Sequence, residues 1–173
     1  MDAVERTLRF LDDHKVGDLV VDDLTADDLD QIRWSGSATH VRNVARQLGR
    51  VASGEVVYLA VRAPDGAPVA KAGVDFSAHP GAGTIWQLVT RAGLEGRGLA
   101  RRLIGELERR ILDRRLSLAW ITVEPGNERA RTMYERLGYE LREERVASWE
   151  AEQEDGTVAV HHTVIIELAR HLA

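Results

Sequence analysis

The residues whose types and spacing could do chemistry lie mid-chain. Glu95-Gly96-Arg97-Gly98-Leu99-Ala100 stands between an apolar β-like run and a long helical pattern. Small residues at such a turn let backbone approach a ligand closely, and the N–H groups of a helix start point back at the same spot. Together these make an anion site, most often for phosphate. Gly93 and Gly98 have the spacing of a nucleotide-triphosphate P-loop. Leu99 and Ala100 follow, however, where that loop needs a lysine for the phosphates and a hydroxyl for magnesium. A dinucleotide fingerprint needs a third glycine, and Arg101 occupies its place.

A third pattern, Gln/Arg-x-x-Gly-x-Gly/Ala, fits at Gly98 and Ala100 and departs at Glu95. In this form the loop resembles the pyrophosphate loop of the GNAT superfamily, the acyl-CoA-dependent N-acyltransferases. A second segment strengthens the likeness. Asn127, Ala130, Tyr134 and the closing Gly138-Tyr139 fall in the order and spacing of that family's second cofactor segment. The resemblance is strongest from about Leu88 to Tyr139.

The resemblance implies acetyl-CoA as cosubstrate and an amine as acceptor, joined by direct attack in a ternary complex. It places the pyrophosphate on the backbone of Glu95, Gly96, Arg97, Gly98, Leu99 and Ala100. The Glu95 carboxylate would repel the phosphates and is expected to turn outward, while Arg97, Arg101 and Arg102 are candidates for side-chain contacts, each as readily a solvated helix face. It lays the pantetheine arm along Leu88-Val89-Thr90, where a bulged strand parts from its neighbour. Asn127 would meet that arm, although Asn is equally a favoured helix N-cap. Tyr134 would protonate the leaving thiolate, because a phenol keeps its proton at neutral pH. The bland alternative for Tyr134 is a core tyrosine sharing a face with Ala130, Met133 and Leu137.

The base that neutralises the amine is not spelled out. Glu124, beside Asn127, is the first candidate; it could equally hold a cationic acceptor or sit in a turn. Asp75 and Glu55 are weaker ones, and His40, His79, His161 and His162 fall in no diagnostic motif. Trp34, Trp86 and Trp149 are available to an acceptor pocket, with core or surface packing as the plainer role. The resemblance draws that pocket from Ala26–Ser53 and Trp149–His162. A module of the same fold that only senses acyl-CoA is the alternative function.

These residues need elements to position them. Val4, Leu8 and Leu11 mark a helix over about residues 2–14, which stands as an addition to the GNAT pattern. Leu19-Val20-Val21 suits a short strand, and Thr25 with Asp28 signs the start of a helix carrying Leu29 and Ile32. Val41, Val44, Ala45, Leu48 and Val51 mark another. The period then changes. Val56–Ala63 and Pro68–Phe76 read as a hairpin, and Thr84–Thr90 as a third strand. A helix over 98–115, a strand over Leu116–Val123 and a helix over 128–137 follow. Two more strands, Tyr139–Ser148 and Val158–Leu168, flank an acidic loop at Glu150–Gly156.

The expected fold is therefore one α+β domain in three layers: a mixed, mostly antiparallel sheet of six to seven strands flanked by helices. The strand–helix–strand unit from Thr84 to Val123 should supply one parallel pair.

A chain of 173 residues suits one domain. With 23 basic and 28 acidic residues, its net charge of −5 argues against nucleic acid and favours a cationic acceptor. There is no cysteine, hence no disulfide, thiolate nucleophile or cysteine-held metal, and metal-ligand spacing is absent. No apolar run reaches the roughly 18 residues of a membrane span, and Met1–Arg6 is charged, so a cytoplasmic protein is expected. A homodimer paired through the C-terminal strands is left open.

Overall fold

The computed structural model describes residues 1–173. In chain order they form α1 (Ala3–Asp13), a 3-10 turn (Val16–Asp18), β1 (Val21–Asp23), a 3-10 helix (Ala26–Ser35), α2 (Ala38–Leu48), β2 (Val56–Arg62), β3 (Pro68–Asp75), β4 (Gly83–Thr90), α3 (Leu99–Asp113), β5 (Leu118–Val123), α4 (Glu128–Arg136), β6 (Glu140–Glu152) and β7 (Val158–His171). One seven-stranded sheet runs in the order β1-β2-β3-β4-β5-β7-β6. Every neighbouring pair is antiparallel except β4 and β5.

Apolar residues on both faces of the central strands make two cores, and thus three layers. On β2, Leu59 and Val61 face the larger core, which α3 fills with Leu99, Leu103, Ile104, Leu107 and Ile111. Val56, Tyr58 and Ala60 face the smaller one, closed by Ile32 of the 3-10 helix and Val44 of α2. α1 joins the larger core through Ala3.

The structure departs most from the sequence reading in three elements. The segment after Thr25 opens with the expected capping box, the Asp28 carboxylate accepting from the Thr25 N–H at 2.9 Å, but it winds as a 3-10 helix. β1 pairs only over Val21–Asp23: Leu19 is instead buried and Val20 exposed. The β6–β7 hairpin also runs further than expected. Its pairing continues to Glu152↔Val158, so Glu150–Glu152 belong to strand and not to the acidic loop.

Two irregularities in the middle of the sheet prepare the site. β4 and β5 pair only at Gly83↔Ala119, Thr84↔Trp120 and Ile85↔Ile121, and part beyond them. On the other side of β4, Lys71 faces Val89 while Gly73 faces Trp86, so Ala72 alone opposes Gln87 and Leu88. That is a β-bulge, the device that bends a strand and re-aims its side chains.

Candidate active site

The bulge is held from beneath. Gln87 adopts φ +53, a left-handed conformation that costs a non-glycine residue about 1–3 kcal/mol. A buried chain of hydrogen bonds secures it. Lys71 Nζ donates to Tyr58 Oη at 2.9 Å, and Tyr58 donates to Gln87 Oε1 at 2.8 Å. Lys71 Nζ also reaches the Gln87 carbonyl at 3.4 Å. Lys71 is fully buried with no carboxylate partner, and burial drops its amine to about 7. The same burial pushes the Tyr58 phenol far above its usual range.

The 95–100 loop has the geometry of an anion cradle. Gly96 and Gly98 lie at φ +74 and +89, a region glycine enters without strain. No backbone N–H from Gly96 to Ala100 donates to another backbone group, and Gly98 begins α3 without a side-chain cap. Those donors are free for a ligand. Glu95 bends back on its own loop, where Oε2 accepts from the Gly93 N–H at 2.8 Å. Backbone hydrogen bonds from Glu95 itself and Gly93 hold this carboxyl below its usual range, and Arg129 adds to the effect. A Cβ on Gly93 would lie 3.2 Å from Val4, and one on Gly98 3.5 Å from Val16, so the N-terminal segment packs against this loop.

Two cavities meet where β4 and β5 part. One, of about 830 Å³, is lined by Glu95, Gly96 and the run from Gly98 to Arg101 of the loop together with Arg129 and Arg136 of α4. The other, of about 700 Å³, lies towards β6 and β7. Leu88, Asn127 and Tyr134 line both. Thr90 lines the first cavity; Val89 lines neither and is available there only through its backbone. Leu99 is buried in the larger core, so only its backbone faces the loop. Among the expected arginines, Arg101 reaches this cavity and Arg97 and Arg102 do not line it. Arg129 and Arg136 went unnoticed in the sequence, where they look like an ordinary solvated helix face.

Asn127 caps α4, its Oδ1 accepting from the Ala130 N–H at 3.2 Å, and still borders both cavities. Tyr134 belongs to the larger core and to both cavities at once, and burial raises its phenol to about 12. Glu124 is exposed at the end of β5 on the rim of the second cavity. Asp75 and Glu55 line neither cavity and are engaged by Arg50 at 2.8 and 3.1 Å. His40 is half-buried, and desolvation together with the nearby Lys71 charge lowers it to about 4. Trp86 and Trp149 line the second cavity, whereas Trp34 packs on the smaller core. His161 packs beside Trp149.

The second cavity also contains groups that no motif announced. Glu167 of β7 is fully buried there, with Oε1 accepting from Arg145 Nε at 2.8 Å and Oε2 left without a hydrogen bond. His79 Nε2 stands 3.7 Å from that free oxygen. The alternation of a buried strand would have hidden any glutamate at this position, and only the β5–β7 register brings it to the site.

The loop before α3, the bulged β4, the parted β4–β5 pair and a buried tyrosine on α4 form one arrangement, carried by a fold that known structures share. The FR47-like protein family model matches residues 70–148, a span that contains the loop and the Asn127–Tyr139 segment. No curated protein matches the chain. Among solved structures, the chain is similar to a GNAT superfamily phosphinothricin acetyltransferase from Sinorhizobium meliloti in complex with AcCoA. That likeness has 14% identity and a TM-score of 0.69, covering 90% of this chain and 89% of that one. The fold is the GNAT fold.

Two further GNAT-like structures carry unlike acceptors in their names. A spermidine N-acetyltransferase chimera from Vibrio cholerae and hSSAT is similar at 14% identity and a TM-score of 0.68, covering 88% of this chain and 96% of that one. A ribosomal-protein-alanine N-acetyltransferase from Brucella melitensis is similar at 16% identity and a TM-score of 0.64, covering 89% and 100%. The GNAT fold therefore does not choose the acceptor. No group of acidic, histidine or cysteine side chains is arranged to hold a metal ion. No helix is long and apolar enough to cross a membrane.

Proposed function

We propose that this chain transfers the acetyl group of acetyl-CoA to an amine by direct attack in a ternary complex. The observation that carries the reading is the sharing of Leu88, Asn127 and Tyr134 by two cavities at the parting of β4 and β5. A thioester reaching this point from the loop side would meet an amine arriving from the other.

The free N–H groups of Gly96 to Ala100, with Arg101, Arg129 and Arg136 nearby, hold the pyrophosphate. The unpaired edge of β4 from Leu88 to Thr90 receives the pantetheine arm and offers N–H groups to the thioester oxygen. The Tyr134 phenol, kept protonated by its burial, donates to the departing thiolate. Asn127 orients the arm while capping α4. Glu124 meets the acceptor at the cavity rim, as a proton acceptor through water or as a countercharge. A module that merely sensed acyl-CoA would need only the first cavity.

Calorimetry with acetyl-CoA, CoA and ATP, followed by thiol release from acetyl-CoA over a panel of amines, tests the reading. Binding of acetyl-CoA and CoA with amine-dependent thiol release is expected. Tight ATP binding without CoA binding would overturn it.

A further inference from the structure

We infer that His79 and Glu167 form the acceptor end of this site. Glu167 Oε2 receives a protonated amine, and His79 Nε2 takes its proton. This inference rests on the acetyl-transfer reading and names the acceptor class, a cationic amine, and the proton's destination.

A fully buried carboxylate oxygen without a donor is costly, because it has lost its water and gained nothing in exchange. Glu167 Oε2 is such an oxygen, and Glu167 is among the residues that line the second cavity. Arg145 secures the other oxygen at 2.8 Å, so the carboxylate cannot turn away to find another partner. A ligand ammonium is the donor that fits. Trp86 and Trp149 line the same cavity and suit the carbon chain of such an amine.

His79 is held just as firmly. Nδ1 lies 2.8 Å from Thr84 Oγ1, and the ring stacks on Trp120 with centroids 4.3 Å apart and planes 3° from parallel. When Nδ1–H donates to Thr84, Nε2 keeps a lone pair and faces the 3.7 Å gap to Glu167 Oε2. The other titratable or charged groups lining the cavity are Glu124 at the end of β5, Glu143 and Arg145 on β6, and Tyr134 on α4.

The proton balance closes. The ammonium nitrogen gives one proton to His79 Nε2, directly or through one water, and its freed lone pair forms the C–N bond with the thioester carbonyl carbon. The C–S bond breaks, and the sulfur takes the Tyr134 proton. The surplus proton on the new amide nitrogen restores the phenol through water. His79 releases its proton to solvent.

The test is thiol release from acetyl-CoA with alkyl monoamines, alkyl diamines and amino acids, for the intact chain, His79→Gln and Glu167→Gln. Alkylamines should outperform amino acids, whose carboxylate would face Glu167. His79→Gln should lower kcat/KM about 10²-fold at neutral pH. Its rate should then climb about tenfold per pH unit towards the amine's own pKa, where free amine arrives already deprotonated. The intact chain should level off at lower pH. Glu167→Gln should raise the amine KM, and acetyl-CoA affinity by calorimetry should hold in both variants. Should Glu167→Gln fail to fold, the pH profile of His79→Gln decides alone. Turnover and a pH profile in His79→Gln equal to the intact chain's would overturn this inference and leave acetyl transfer standing. Absence of turnover with every amine would overturn both.

Discussion

In the middle of β3 the Lys71 amine donates to the Tyr58 hydroxyl across 2.9 Å, and that hydroxyl donates to Gln87 Oε1 across 2.8 Å. The pair lies directly beneath the strained Gln87 of the bulge. It explains how a β-strand can hold a left-handed residue at the point where two cavities meet: the cost of the strain is offset by the hydrogen bonds that Tyr58 and Lys71 make to Gln87.

This arrangement predicts an unusual pH dependence. Burial keeps Lys71 at about 7 in the folded chain, against 10.5 for a free lysine. Between those values the unfolded chain binds a proton that the folded chain has lost, so stability rises with pH through that window and levels off above it. Below it both states are protonated and the penalty of the buried ammonium is complete. Lys71→Met should remove the slope and be the more stable protein at pH 6. Urea unfolding of both proteins from pH 6 to 10 checks this, and parallel curves would refute it.

Gly98 should tolerate no side chain without loss. A Cβ there would meet Val16 Cγ1 at an ordinary 3.5 Å, so space is not the obstacle. The obstacle is φ +89, which costs an L-residue roughly 1–2 kcal/mol. Gly98→Ala should lower the melting temperature by about 2–8 °C. If the loop then relaxes out of its cradle shape and one donor is lost, acetyl-CoA affinity falls roughly tenfold. Calorimetry and thermal unfolding read the two effects separately.

Tyr134→Phe keeps the packing of α4 and removes only the phenol proton. Turnover should fall by about 10²-fold while acetyl-CoA affinity stays within about twofold. Unchanged turnover would remove Tyr134 from the acid role.

Gly73 exists for Trp86. A Cβ on Gly73 would fall 1.7 Å from the indole Cζ3, so any side chain must push the ring out of its seat. Because Trp86 lines only the second cavity, Gly73→Ala should raise the KM for the amine while leaving the acetyl-CoA dissociation constant intact. Equal effects on both ligands would show that the ring does not serve the acceptor alone.

Much of the site was legible because it is local in the chain. The loop from Glu95 to Ala100 and the run from Asn127 to Tyr139 are each continuous, and turn residues, caps and helix faces are written in neighbouring positions. The parallel β4–β5 pair also follows from the intervening helix. Lys71, Glu167 and His79 were not legible as partners. A lysine in a strand looks like a solvent-facing position, a glutamate between Ile166 and Leu168 like the polar half of an alternation, and a histidine before Pro80 like a turn.

The sequence by itself determined the order of elements, the free N–H groups of the 95–100 loop and the tyrosine on α4, since these depend on backbone preferences and periodicity over a few residues. Tertiary structure alone decided that β4 bulges at Gln87, that β5 pairs with β7 so that Thr122 meets Glu167, and that His79 swings over Trp120 to face it. Strand register sets these meetings, and register is an outcome of packing two cores against one twisted sheet, which no short stretch of residues encodes.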